Sequence, residues 1–364
     1  MRSFQSASIV LLCLIGLVWP VAVGKTGEGW SELRTTHFHL FSNADAEQVR
    51  AVATELERLR DLLESYFGLV VETPRRPLSV YVFRSLRSSR RVLPDGGEID
   101  RSGGVYFSDG ETDFIAIHAV AGADVVSLAY HEYLHYVIRQ VARDAPLWFS
   151  EGMAELFETT KTTAYEGEVG RVATQHVETL KRGLLLSPRA VLETTPRSLA
   201  YRDAVLKPRF HAQSWAFVRY LLTLSVAEGA RGGLLEKLRE SMKPESLIEA
   251  METSWASGFS DDATITIPLS RPISQEGIPK AIDRVEMTRR LGDLAAVHSP
   301  KRAKNYFRAA LSADDRHAAS HAGLGKLLIR EGDTAEGLRH LRWAVELEPN
   351  DPRFRRLLGL AVGE

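Results

Sequence analysis

The chain of 364 residues is 44% apolar and 26% charged, enough to bury a sizeable core and to form more than one folded unit. Lysine and arginine (46) nearly balance aspartate and glutamate (47), with no long basic run, which excludes the electrostatic footprint of a nucleic-acid binder. One cysteine excludes an intramolecular disulfide.

At the start of the chain, Arg2 is followed by an uncharged run from Ser3 to Gly24. Its apolar centre is IVLLCLIGLVW, interrupted by Pro20 and ending in Ala22-Val23-Gly24. This pattern predicts a secretory signal peptide over 1–24, with an uncleaved membrane anchor as the alternative. Cys13 lies inside the segment after Leu12, where a lipoprotein signal has a small residue, so lipid attachment is not expected. The mature chain is then free of cysteine and without a membrane span. The expected location is periplasmic or secreted.

From Trp30 strands and helices alternate. HFHLFS (37–42) and LSVYVF (78–83) read as strands, and Ala44–Tyr66 carries Val49, Val52, Leu56, Leu59 and Leu63 at helical spacing. GGVYF and DFIAIH flank Ser108-Asp109-Gly110-Glu111, a hairpin signal. Helices are predicted over about 124–142 and 147–159, joined by Arg143-Asp144-Ala145-Pro146, and then around 172–182, 211–225 and 233–242. The domain at 30–253 is therefore α+β, a small mixed sheet followed by helices. Residues 254–284 lose the helical period and contain three prolines, which reads as a linker.

Beyond it the chain repeats. YFRAALSADDR (306–316) matches HLRWAVELEPN (340–350) at an offset of 34, and Leu324-Gly325 recurs as Leu358-Gly359. Leu291-Gly292 lies 33 earlier, which places one missing residue in the first turn. The period resembles the tetratricopeptide repeat over 285–364, an all-α domain suited to docking a protein partner.

Within the predicted helix at 124–142, YHEYLHYVIR sets His131 and His135 four residues apart, one above the other on one face. Glu132 is turned about 100° from them, where it reaches a metal-bound water without being a ligand. Apolar residues on both sides of the histidines predict a buried helix, and buried imidazoles beside a carboxylate need compensation that a divalent cation supplies. The alternative is a helix that carries two histidines at a common spacing. Sixteen residues after His135, LWFSEGMAELFE places Glu151, Glu155 and Glu158 on one face, which could equally be a solvated glutamate row.

Taken together, H-E-Y-L-H and Trp-Phe-Ser-Glu-Gly-Met-Ala-Glu resemble the gluzincin metallopeptidases, and more closely exported bacterial proteins with a peptidase MA-like domain. The resemblance implies a zincin-like fold, one Zn2+ per chain held by His131, His135 and Glu151, and Glu132 as general base. It also implies that Glu155 orients a ligand histidine, and that a downstream histidine or tyrosine stabilises the oxyanion. His211 is the first candidate for that role and Tyr201 the second. Asp113–His118 resembles the edge strand against which such peptidases lay a peptide substrate, and His118 is taken as structural. The aminopeptidase segment G-x-M-E-N has no counterpart before His131, so exopeptidase specificity is not implied. The competing expectation is a repeat-based scaffold with a degenerate or purely metal-binding zincin-like domain.

Overall fold

A computed structural model of the chain describes residues 29–71, 77–93, 103–108, 112–118, 124–227, 244–256 and 264–363. The expected leader (1–24), the hairpin tip (109–111) and the helix expected over 233–242 lie outside them.

The centre is a mixed sheet of six strands: β1 (Ser31–Arg34), β2 (Phe38–Ser42), β3 (Leu78–Phe83), β4 (Gly104–Ser108), β5 (Asp113–His118) and the short β9 (Lys280–Ala281), in the order β4-β5-β3-β2-β1-β9. β2, β3 and β5 run parallel, and the outer pairings are antiparallel. Side chains alternate across a strand, and here both faces are apolar, so both must be covered. Leu40, Val80, Val82, Ile115 and Ile117 pack beneath α1 (Ala46–Ser65) and α3 (Val125–Val141), with a short α2 (Leu86–Ser89) between β3 and β4. Their neighbours Phe41, Tyr81, Phe83, Phe114 and Ala116 point the other way into a second cluster.

That second face is roofed by the C-terminal helices: α10 (Arg284–Ala296), α11 (Pro300–Ala313), α12 (Ala318–Arg330), α13 (Thr334–Leu347) and α14 (Pro352–Val362). Their first residues Arg284, Ala318 and Pro352 are 34 apart, as are Pro300 and Thr334. The turns therefore have equal lengths, and the one-residue offset of Leu291-Gly292 lies within the helix rather than in the turn, as the sequence had suggested. Met287, Leu291, Leu294, Tyr306 and Phe307 are buried against the sheet. The Tyr306 hydroxyl donates to the Arg91 carbonyl at 3.1 Å, and the Arg290 guanidinium stacks 4.3 Å over Phe41. Each large apolar side chain buried there contributes roughly 1.5–3 kcal/mol, so the repeat is a layer of the fold rather than a free tail.

The linker reading of 254–284 is corrected by the same geometry. The segment contains β8 (Ile265–Pro268), which pairs with β7 (Glu166–Val169) in a second sheet that also holds β6 (Lys161–Thr162). β9 lengthens the main sheet beside β1. Between them the backbone lies along α1: Arg58 donates to the Ile273 carbonyl at 3.1 Å, and the Glu276 amide donates to Thr54 Oγ1 at 2.9 Å. Backbone groups need partners but not a local period, which is why a sequence without helical pattern is still part of the structure.

Candidate metal centre

The helix α3 starts cleanly because Asp124 accepts a hydrogen bond from the Val126 amide at 3.0 Å. Tyr130, Leu134 and Val137 anchor it in the core, and this turns His131 and His135 toward α4 (Leu147–Glu158). The connection over 142–146 is short, so α4 returns antiparallel and presents Glu151 to the histidine pair. Gly152, the next residue, lies so close to α8 (Leu206–Ala227) that a Cβ there would sit 2.5 Å from the Ser214 carbonyl oxygen. A glycine inside a helix costs about 1 kcal/mol relative to alanine. The close approach it permits brings His211, one turn before Ser214, against the same carboxylate.

His131, His135 and Glu151 offer ligand atoms that all lie within 4.8 Å of one another. Glu151 Oε2 is 3.9 Å from His131 Nε2, 3.7 Å from His135 Nε2 and 3.6 Å from His211 Nε2. Three ring nitrogens thus face one carboxylate oxygen at separations too long for hydrogen bonds. The outer nitrogens are bonded instead: His131 Nδ1 to Glu158 at 3.1 Å, His135 Nδ1 to the Ser150 hydroxyl at 3.1 Å, and His211 Nδ1 to Glu155 at 2.5 Å. Where the acceptor is a carboxylate, Nδ1 carries the proton and Nε2 is directed inward. His211 Nε2 is buried without a hydrogen-bond partner among the described residues. The second oxygen of Glu151 accepts from the Tyr201 hydroxyl at 2.9 Å, and the Tyr201 and His211 rings are nearly parallel, 15° apart.

Glu132 is 4% exposed and lies over β4, where a Cβ on Gly104 would come within 2.7 Å of its Oε1. A side chain at position 104 would force the Glu132 carboxylate to shift. With Glu151, Glu155 and Glu158 the pocket gathers four carboxylates, and the titration of its rings reflects that load. Burial alone would push His131 down, but the Glu158 hydrogen bond and the charges of Glu155, Glu132 and Glu158 lift it to about 10. Burial prevails at His135, whose Nδ1 meets a neutral hydroxyl, and holds it at about 4. Glu151 is held below the usual carboxylate range: burial opposes this, and His135, His211 and His131 outweigh it. Two imidazoles and a carboxylate, backed by bonded outer nitrogens, form a donor set that fits zinc better than magnesium or calcium, which favour all-oxygen shells.

Two expectations are corrected here. Glu155 does not bond a histidine of the His131–His135 pair; it holds His211 and, on its other oxygen, His176 Nε2 at 2.7 Å. Glu158, one turn later, takes His131. Nor is Asp113–His118 an edge, because β5 is paired on both sides, and β4 is the outer strand among the described residues. Ser150, Gly104 and His176 carried no sequence signal of their own, and only the word SEGMAE hinted at Ser150 by its adjacency to Glu151.

Comparison with known proteins divides the chain in the same way. A family model described as "Protein of unknown function (DUF1570)" matches residues 124–241, a span that includes His131, Glu132, His135, Glu151, Glu155, Tyr201 and His211. A tetratricopeptide repeat model matches residues 294–361. A TPR repeat-containing protein of Pseudomonas aeruginosa is 38% identical over 80 residues, which is 22% of this chain and 29% of that relative. The chain thus spans under a third of the length of the relative it matches. The mixed α/β body is followed by a tetratricopeptide repeat, and the candidate metal centre lies within the stretch similar to the family of unknown function.

Proposed function

We propose that the chain is a zinc-dependent hydrolase of peptide bonds, related to the gluzincins, with His131, His135 and Glu151 as the ligands. The observation that carries this reading is the convergence of three imidazole Nε2 atoms on Glu151 Oε2 at 3.6–3.9 Å. Zinc held there would supply a Lewis acid and acidify water to a pKa of about 7. Glu132, buried against Gly104 and adjacent to the ligand His131, is the base that takes the proton from attacking water and returns it to the leaving amine. His211 fits oxyanion stabilisation better than Tyr201: with its Nδ1–H held by Glu155, the protonated ring presents an Nε2–H to the pocket, whereas the Tyr201 hydroxyl is bound to Glu151. The leader read at 1–24 makes such an enzyme an exported one.

A second reading has direct support from the comparisons. The tetratricopeptide repeat, found by its family model and present in the similar Pseudomonas protein, suggests a protein-interaction scaffold. On this reading the α/β body would bind metal without turnover. One experiment separates the two. Protein prepared without added metal should carry or take up about one zinc per chain, and Glu132→Gln should keep that zinc while cleavage of a mixed peptide library falls by roughly 10² or more. Less than a tenth of an equivalent, with no uptake on titration, removes the centre. Zinc bound by both proteins with no cleavage by either leaves the scaffold.

A further inference from the structure

We infer that His176 is a positioning residue of this pocket, which fixes the ring of His211 through the carboxylate they share. The inference rests on the hydrolase reading for its purpose, though not for its geometry. His176 sits on α5 (Thr174–Lys181), an element separate from those that supply the ligands. Two further short helices, α6 (Pro188–Leu192) and α7 (Leu199–Arg202), separate it from His211 along the chain. Its Nε2 meets Glu155 Oε2 at 2.7 Å, while His211 Nδ1 meets Glu155 Oε1 at 2.5 Å.

A carboxylate held by one donor can swing, because the last torsion of a glutamate side chain is broad and nearly two-fold. With a donor on each oxygen, swinging breaks both bonds, so Glu155 becomes a fixed bracket. The bracket determines which His211 nitrogen faces inward. A carboxylate only accepts, so His211 presents an Nδ1–H to Glu155 and directs Nε2 at the ligand Glu151, 3.6 Å away. Without His176 the Glu155 carboxylate could turn, and the His211 ring could turn with it. The side chains concerned are largely buried, at 14% exposure for His176, 13% for His211 and 11% for Glu155, so water is a poor substitute donor.

The competing role for His176 is packing, since its ring lies 5.4 Å from that of Trp215. The two roles demand different replacements. His176→Gln keeps an N–H donor and loses the ring; His176→Phe keeps the ring and loses the donor. The full-length protein labelled with ¹⁵N-histidine reports the tautomer of His211 directly, with its signals assigned through His211→Asn. The parent and His176→Gln should show one His211 tautomer with Nδ1–H protected from exchange. His176→Phe should show a tautomer mixture and lose that protection.

Zinc alone, titrated against a chelating dye, should bind all three within about threefold, because no ligand is touched. On any library peptide the parent cleaves, kcat should fall roughly tenfold or more in His176→Phe at unchanged KM and recover in His176→Gln. An unchanged His211 signal in His176→Phe overturns the inference and leaves His176 as a packing residue. A parent that binds no zinc overturns the hydrolase reading instead, while the NMR comparison still decides whether His176 holds His211.

Discussion

The chain contains two histidine clusters built on opposite principles. In the α3–α4–α8 pocket three ring nitrogens stand 3.6–3.9 Å from one carboxylate oxygen and bond nothing across the gap. In the repeat, His321 Nδ1 and His340 Nδ1 are 2.8 Å apart, and the rings are 7–8% exposed behind Trp343. There the proton positions follow by elimination. The Asp315 carbonyl, 2.9 Å from His321 Nε2, can only accept, so His321 carries its proton on Nε2 and His340 donates from Nδ1. The first cluster directs three Nε2 atoms at one carboxylate oxygen. The second pairs three of its four ring nitrogens within the protein. Histidine content alone therefore says little about metal binding; the direction and pairing of the ring nitrogens separate the two clusters.

The largest expected effect tests that contrast. His135→Ala removes one of the three proposed ligands and should weaken zinc binding by roughly a thousandfold or more, whereas His340→Ala should leave it unchanged. Isothermal titration of both variants with zinc is the measurement. Equal losses in the two would mean that the metal responds to overall stability rather than to the pocket.

A smaller effect separates two glutamates that look alike in sequence. Glu158 bonds His131, so Glu158→Gln should lower zinc affinity by roughly ten- to a hundredfold, as expected for an outer partner of a ligand imidazole. Glu155→Gln should leave zinc affinity nearly intact, because Glu155 bonds His211 and His176. The reverse ranking would restore the role that the gluzincin resemblance assigns to Glu155.

That pair marks where sequence reasoning reached its limit. His131 and His135 share a face by the helical period alone, and one short turn returns Glu151 to them, so the grouping of these three residues was legible as a pattern. Which outer nitrogen meets which carboxylate depends on how α4 is rotated and how closely α8 approaches at Gly152. No local pattern encodes that. The same distinction holds for the fold. The period of 34 exposed the repeat, but Met287, Leu291 and Leu294 read equally well as packing between repeats or as a roof over the sheet. The stretch 254–284 looks like a linker in sequence because a four-residue strand such as β8 is defined by its partner Glu166–Val169, far away in the chain.

The smallest expected effect concerns the closed cluster and acid. Burial, with added pressure from His321, Arg339 and Arg308, holds His340 at about 4, below its ordinary value near 6.5. Glu336 Oε1, 3.9 Å from His340 Nε2, and Trp343 complete its surroundings, and His317 beside Ser320 lies one turn from His321. In that interval the unfolded chain binds a proton that the folded ring resists, so stability from this pair is fully present above about pH 6.5 and is lost as pH falls toward 4. Discounted for the Glu336 carboxylate close to the ring, the loss should be on the order of 1 kcal/mol, a few degrees in melting temperature. His340→Gln keeps a donor for His321 but does not titrate. The gap in melting temperature between parent and variant should therefore shift against the parent between pH 7.5 and pH 4.5. Other buried histidines, His39 among them, are common to both proteins and cancel in the comparison. A gap that stays constant with pH would mean that the pair already accepts a proton when folded, and would reopen the question of what its 2.8 Å contact excludes.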